Sequence, residues 1–303
     1  MTARPKRLRR CQLSVPGSSE KMMTKAAALG VDFVFLDLED AVAPSEKRAS
    51  RARIVDALNY LDWGRSVRCV RVNDLTTEYA YEDIIEVVEG ARENLDLIML
   101  PKAMSASDVQ FVDKLLTMME KKLGLKKRIG IDVLIEEVEA MMQVEAIAAS
   151  TPRLECLIFG MGDYSASQGI SIRDIGGSGG YPGDIWNYQR HKMTIAARAN
   201  RIDAVDGPFG DIKDPDAFRE ECRRSMILGM VGKWAIHPSQ VEHAQQMFSP
   251  RAEDVAQARA MMKAFDAALA QGLGAVQYGG KMIDIASVRI VKNLTDRADL
   301  IGM

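Results

Sequence analysis

Eight short apolar runs, each followed by a longer stretch with helical spacing, set the limits on what this 303-residue chain can fold into. The runs are Gln12–Val15, Phe33–Leu36, Val67–Val72, Leu95–Leu100, Ile129–Ile135, Cys156–Phe159, Asp203–Val205 and Lys233–Ile236. Their aliphatic and aromatic content fits buried strands. Between them the apolar residues recur at helical spacing, as with Val109, Val112, Leu115, Leu116 and Met119 in Ser107–Leu123. Asp214-Pro215 reads as an N-cap followed by proline at the first helical position. Strand–helix alternation implies parallel strands joined by crossover helices. Eight such units with no break in composition predict an α/β fold, a closed (β/α)8 barrel over residues 1–250, rather than an open doubly wound sheet.

A barrel of this kind gathers its chemistry at the carboxyl ends of its strands. Asp37, Arg71, Glu136 and Asp163 stand at or just past such ends. An unpaired buried charge is costly, so these side chains are expected to face a common mouth. Glu136 and Asp163 could form a magnesium pair, because magnesium takes one or two carboxylates and completes its shell with water and substrate oxygens. They could equally cap helix N-termini. Glu137 and Glu139 are alternatives to Glu136 but should lie on the following helix. Arg71 could clamp a carboxylate with its planar fork, or pair structurally with Asp37 or Glu39. The acids of Asp37-Leu38-Glu39-Asp40 could position Arg71, hold metal-bound waters or cap a helix. Pro16-Gly17-Ser18-Ser19, ahead of Lys21 and Lys25, is a weak phosphate-receiving pattern. His237 is expected to make structural hydrogen bonds, and His191 and His243 to be exposed on helices. The loop Gly176–Gly183 is either a glycine-hinged lid or an ordinary surface loop.

Beyond residue 250 the chain exceeds what eight units need. Helical patterns at Ala252–Gln271 and Ala286–Ala298 flank a glycine-rich hinge at Gly272-Leu273-Gly274. This extension, 251–303, is expected to cap the barrel or to pack on an adjacent subunit as a lid. A net charge of −2 with 27% charged residues carries no nucleic-acid footprint. No apolar run approaches the ~18 residues of a membrane span. The basic run Lys6–Arg10 reads as a solvated tail or, less readily, a phosphate contact. Cys11, Cys69, Cys156 and Cys222 are scattered, which predicts reduced, buried thiols and a cytoplasmic location. The 18 methionines suit packing.

A set of motifs in fixed order adds a resemblance. Leu36-Asp37-Leu38-Glu39-Asp40-Ala41-Val42, Val70-Arg71-Val72-Asn73, Leu100-Pro101-Lys102, Leu134-Ile135-Glu136, Phe159-Gly160-Met161-Gly162-Asp163, Asp206-Gly207-Pro208-Phe209, Gly232–Gln240 and Lys281-Met282-Ile283-Asp284 resemble the citrate lyase β-subunit-like (HpcH/HpaI aldolase) superfamily. Within it, the chain from about Arg10 onward is most similar to malyl-CoA/β-methylmalyl-CoA lyases. The resemblance implies a magnesium-dependent lyase, with manganese as an alternative metal, that reversibly cleaves a CoA thioester. Malyl-CoA would yield acetyl-CoA and glyoxylate, and β-methylmalyl-CoA propionyl-CoA and glyoxylate. It implies Glu136 and Asp163 as metal ligands and Arg71, Gly162 and Asp163 as substrate contacts. Asp284 would be the acid/base, delivered by a neighbour in a homotrimer or homohexamer, with Arg71 and Glu39 in the catalytic set. Lys25 and Pro238 would touch CoA. Citramalyl-CoA cleavage, malyl-CoA thioester hydrolysis and a non-catalytic CoA-binding subunit are the alternatives.

Overall fold

The structure, a computed structural model, describes residues 4–171, 175–176 and 180–303. The chain divides into two compact units, Met1–Pro5 with Arg9–Gln245, and Lys6–Leu8 with Gln246–Met303.

In the first unit the eight expected strands all form: β1 Cys11–Pro16, β2 Phe33–Asp37, β3 Val67–Arg71, β4 Leu97–Leu100, β5 Gly130–Ile135, β6 Leu154–Phe159, β7 Asp203–Val205 and β8 Lys233–Ala235. They pair in parallel in the order β7-β6-β5-β4-β3-β2-β1-β8. The circle closes at β7 and β8, where Val231 N donates to Ala204 O at 2.9 Å and Trp234 N to Asp206 O at 2.9 Å. Glycine is required at this seam, since a Cβ on Gly232 would lie 1.7 Å from Arg9 O. Strands covered on both faces need unbroken apolar runs rather than alternation, and β2, β4, β5 and β6 are buried at every residue. Their inward side chains, among them Phe33, Phe35, Cys69, Met99, Ile158 and Trp234, fill the barrel.

The helices of this unit are α1 Glu20–Ala27, α2 Lys47–Tyr60, α3 Ala80–Ala91, α4 Ala106–Leu123, α5 Val138–Met142, α6 Val144–Ala148, α7 Met161–Ser167, α8 Asn187–Ala199 and α9 Pro215–Ile227. α10, Val241–Met247, contains the boundary between the units. Local chemistry sets their ends. Ser105 and Asp108 form a capping box at the start of α4, and Gly124, at φ +64°, closes it. Asp214 caps α9 as its spacing predicts, accepting from Ala217 N at 2.9 Å.

The reading of Lys6–Arg10 as a solvated tail is corrected at its inner end. Arg9 is 2% exposed and pairs with Asp132, with Glu155 at 3.1 Å and with Asp203 at 3.6 Å. Asp132 lies on β5, fully buried, and a carboxylate there demands a counter-charge. Arg10 pairs with Asp32 at 2.6 Å.

The second unit contains α11 Ala252–Leu269, β9 Ala275–Tyr278, β10 Lys281–Asp284 and α12 Ile285–Ile301. The two strands were not expected. They form an antiparallel hairpin through Gly279 and Gly280, both at positive φ (+58° and +77°). That is the two-residue turn that Gly-Gly favours. Phe265, Ile283 and Val288 form its small core. Among the described residues no helix is long and apolar enough to cross a membrane, and all four cysteines are buried thiols outside any disulfide.

Candidate active site

Parallel register places Asp37 beside Arg71, each the last residue of its strand. Asp37 is fully buried and grips the guanidinium side-on: Arg71 Nε and Nη2 donate to its two oxygens, both at 2.7 Å. It also accepts from the N–H groups of Glu39 and Ala41 at 3.0 Å. Burial alone would raise the Asp37 pKa, but the charge and hydrogen bonds of Arg71 and the two N–H groups outweigh it and hold it below the usual carboxylate range. Burial opposes the charge on Arg71 in turn, and Asp37, Glu39 and Glu136 reverse that, so its pKa is raised. The guanidinium carbon stands 5.2 Å from the ring centre of Trp234 and 5.9 Å from that of Phe35, an aromatic floor.

Glu39 follows at the mouth, 5% exposed. One oxygen lies 2.6 Å from Lys102 Nζ and the other 2.9 Å from Arg71 Nη1. Burial pushes its pKa up more than Arg71 and Lys102 lower it. The backbone beneath is fixed by Lys47, whose ammonium donates to Leu38 O and Glu39 O at 2.8 Å and to Asn73 Oδ1 at 2.6 Å. All three of its donors are thereby engaged. The Asn73 amide donates to Leu38 O at 3.0 Å and to Asp83 at 2.6 Å.

Glu136 ends the neighbouring β5 segment, 1% exposed. Its carboxylate accepts from Lys102 N at 2.8 Å. Burial, the repulsion of Glu39 and that of Asp163 push its pKa up to about 8, against the pull of Arg71. Gly160, after β6, is what lets the carboxylate sit there: a Cβ would lie 2.4 Å from its Oε2. Asp163 stands in the first turn of α7 with its side chain 42% exposed, 3.9 Å from Lys102 Nζ. The structure thus brings together Asp37, Glu39, Arg71, Glu136 and Asp163. Glu137 occupies the N-cap position of α5 without a side-chain capping hydrogen bond, and Glu139 lies in the first turn of that helix.

The donor set fits a hard divalent cation. It is all oxygen, and Glu136 is a buried carboxylate whose protonated form is stabilised while no cation faces it. Among the described residues no group of three or more His, Cys, Asp or Glu is placed to hold a metal. Two carboxylates such as Glu136 and Asp163 would suit magnesium, which completes its shell with water and substrate oxygens.

Asp284, in the second unit, is exposed and caps α12, accepting from Ser287 N at 2.9 Å and Oγ at 3.0 Å. Those hydrogen bonds lower its pKa. Lys25 is exposed in the last turn of α1, about six residues, or ~9 Å of helix, below the Ser19 cap. Pro238 is exposed at the start of a 3-10 turn capped by His237. His191 is exposed, whereas His243 is half-buried beside Arg219 at 3.0 Å. Gly162 lies in the first turn of α7 near Ile175. Of the loop Gly176–Gly183, residues 177–179 lie outside the described residues.

Sequence reasoning missed Lys47, Lys102 and the buried cluster of Asp206. There Arg190 at 2.9 Å and Lys233 at 2.6 Å neutralise Asp206, and Arg190 also pairs with Glu221. A lysine opening the strand run at β8 was the available signal, because such a lysine needs a buried acid.

Comparison with known proteins follows the same lines. An L-malyl-CoA/beta-methylmalyl-CoA lyase of Cereibacter sphaeroides is 42% identical, covering 99% of this chain and 98% of that protein. A (3S)-malyl-CoA thioesterase of the same species is 32% identical over 97% of this chain and 95% of its own. The crystal structure of CitE from Mycobacterium tuberculosis in complex with magnesium, acetoacetate and coenzyme A superposes with a TM-score of 0.75, at 28% identity, over 96% of this chain and 98% of that one. Residues 10–238 match the family described as HpcH/HpaI aldolase/citrate lyase. The chain belongs to the HpcH/HpaI aldolase/citrate lyase family.

Proposed function

We propose that this protein is a magnesium-dependent carbon–carbon lyase acting reversibly on hydroxyacyl-CoA thioesters. It splits malyl-CoA into acetyl-CoA and glyoxylate, and β-methylmalyl-CoA into propionyl-CoA and glyoxylate. One observation carries the reading: the mouth holds a clamped arginine beside two carboxylates, Glu136 and Asp163, that protein cations leave incompletely neutralised. The 42% identity to a lyase of this specificity supports the substrate class.

Glu136 and Asp163 would hold the magnesium. When bound, it supplies a Lewis acid that stabilises charge developing on the hydroxyl or carbonyl oxygen of the reacting carbon. Arg71 has five N–H donors, of which Asp37 takes two side-on. Its end-on donors receive the carboxylate of the glyoxylate half, and Asp37 and Glu39 fix their direction. Glu39 belongs to the catalytic set by holding Arg71 and Lys102 in place. Asp284 of an adjacent copy, in a homotrimer or homohexamer, exchanges the proton at the thioester α-carbon. Its lowered pKa keeps it as the carboxylate, the form needed to take that proton in the condensation direction. The extension that carries it acts as a lid on that neighbour. Gly162 lines the acyl end, and Lys25 and Pro238 are assigned to the CoA moiety.

Purified protein incubated with magnesium, glyoxylate and acetyl-CoA or propionyl-CoA should form the condensed hydroxyacyl-CoA, read by mass spectrometry. Free CoA with malate would instead indicate the thioesterase. Condensation with pyruvate and not glyoxylate would indicate citramalyl-CoA chemistry. CoA binding without turnover would sink the enzymatic reading.

A further inference from the structure

We infer that Lys102 is a positioning residue that decides which carboxylates of the mouth are left for the cation. The inference rests on the reading of Glu136 and Asp163 as the cation pair and goes beyond it. Five acids, Asp37, Glu39, Asp40, Glu136 and Asp163, share this site with two cations, Arg71 and Lys102. Arg71 is committed side-on to Asp37. Lys102 Nζ is 2.6 Å from Glu39, 3.5 Å from the exposed Asp40 and 3.9 Å from Asp163. With Asp37 and Glu39 matched and Asp40 largely in solvent, its side chain 56% exposed, Glu136 and Asp163 remain, two charges for one divalent ion. A third free carboxylate would draw the ion away from the pair and take up a coordination position that substrate oxygens need.

The backbone of Lys102 serves the same end. Its φ is +46°, a left-handed conformation that a lysine seldom adopts. In that conformation its N–H meets Glu136 Oε1 at 2.8 Å while its side chain reaches Glu39. One residue thus orients a ligand with its main chain and withholds a competitor with its ammonium.

Magnesium binding by calorimetry, on the full chain without substrate, tests this. Lys102→Met should bind magnesium about tenfold more tightly than the unaltered protein, because a positive charge beside the ion is removed and Glu39 becomes a ligand. Lys102→Gly, which is at ease at positive φ, should do the same and guards against a folding defect at Met. Adding Glu39→Gln to Lys102→Met should cancel the gain, as expected of coupled neighbours. Lys102→Arg, which keeps the charge, should stay within about threefold of the unaltered protein. In steady-state assays Lys102→Met should lose kcat despite its tighter magnesium. Unchanged or weaker magnesium binding in both Lys102→Met and Lys102→Gly overturns the inference, as does a gain that survives Glu39→Gln. If the unaltered protein binds no magnesium, or Glu136→Gln binds it as well, the cation-pair reading itself falls.

Discussion

Arg71 shows how one side chain can be structural and functional at once. Asp37 holds its side-on face at 2.7 Å on both oxygens, and the aromatic floor of Trp234 and Phe35 prevents it from folding down into the barrel. A lysine at this position offers a point charge without a fork. Arg71→Lys should therefore raise KM for glyoxylate by about a hundredfold, the scale of one lost charge-assisted hydrogen bond pair, with a smaller change in kcat. An unchanged KM would remove Arg71 from carboxylate binding. Glu136 makes a different kind of prediction. Its pKa is pushed up to about 8, so below that pH a cation must displace a proton before binding. The sign follows: magnesium affinity rises with pH, levels off above about 8, and at pH 6 is about a hundredfold weaker than the plateau. Calorimetry across pH 6 to 9 reads this slope, and a flat profile would exclude Glu136 as a ligand. Without metal the raised carboxyl acts on folding in the opposite direction. Its proton is bound more tightly in the folded state, so stability contributed at low pH is lost as pH rises through about 8.

At the scale of elements, the turns after the strands do more than connect. Gly160 follows β6 and packs its bare α-carbon against the Glu136 carboxylate, whereas Gly162, two residues on, has only the Ile175 side chain at 3.4 Å from a notional Cβ. Gly160→Ala should thus displace Glu136, weaken magnesium binding at least about tenfold and cost roughly 1–3 kcal/mol, the scale of overpacking. Gly162→Ala should leave the melting temperature unchanged or slightly raised, because alanine favours the helix it would join. Equal losses in both variants would refute the Gly160 account. The strands were legible in the sequence because burial on both faces writes a continuous apolar run. The acids and the arginine at their ends were legible because a charge abutting such a run has few places to go. The lysines were not. Lys47 follows no apolar run and looks like any solvated lysine. Lys102 does stand just past the run Leu95–Leu100, but a lysine can reach solvent from a strand end, and its partners Glu136 and Glu39 lie 34 and 63 residues away in sequence. Arg9 was misread for the same reason, since its partner Asp132 is hidden in β5. The β9–β10 hairpin was missed although Tyr278-Gly279-Gly280-Lys281 carries its turn, because glycines there were read as a hinge.

At the scale of the whole molecule, the proposed reading gives the strand ends of the barrel a cation site and a carboxylate clamp, and assigns proton transfer to a group outside them. On that reading Asp37 is committed to Arg71, Glu39 to Lys102, and Glu136 and Asp163 to the ion, while the exposed Asp40 lies 3.5 Å from Lys102. The remaining candidate, Asp284, belongs to the other compact unit and is exposed at the junction of β10 and α12. A proton-transfer group carried on a separate unit can be supplied by a neighbouring copy, and that arrangement is testable without any structure. Assayed at glyoxylate far below the raised KM of Arg71→Lys, that variant and Asp284→Ala should each show little activity alone, the first for want of the clamp and the second for want of the acid. Mixed under conditions that exchange subunits, they should regain condensation activity. Wherever an Arg71→Lys chain lends its intact Asp284 to an Asp284→Ala barrel, one complete site is assembled. Both variants should also still bind magnesium, since neither loses Glu136 or Asp163. Activity that returns on mixing, in step with subunit exchange, fixes Asp284 as a group that acts between chains. If the mixture stays as inactive as its parts while exchange is demonstrated, each chain must furnish its own acid, and the lid serves the barrel of the chain that carries it.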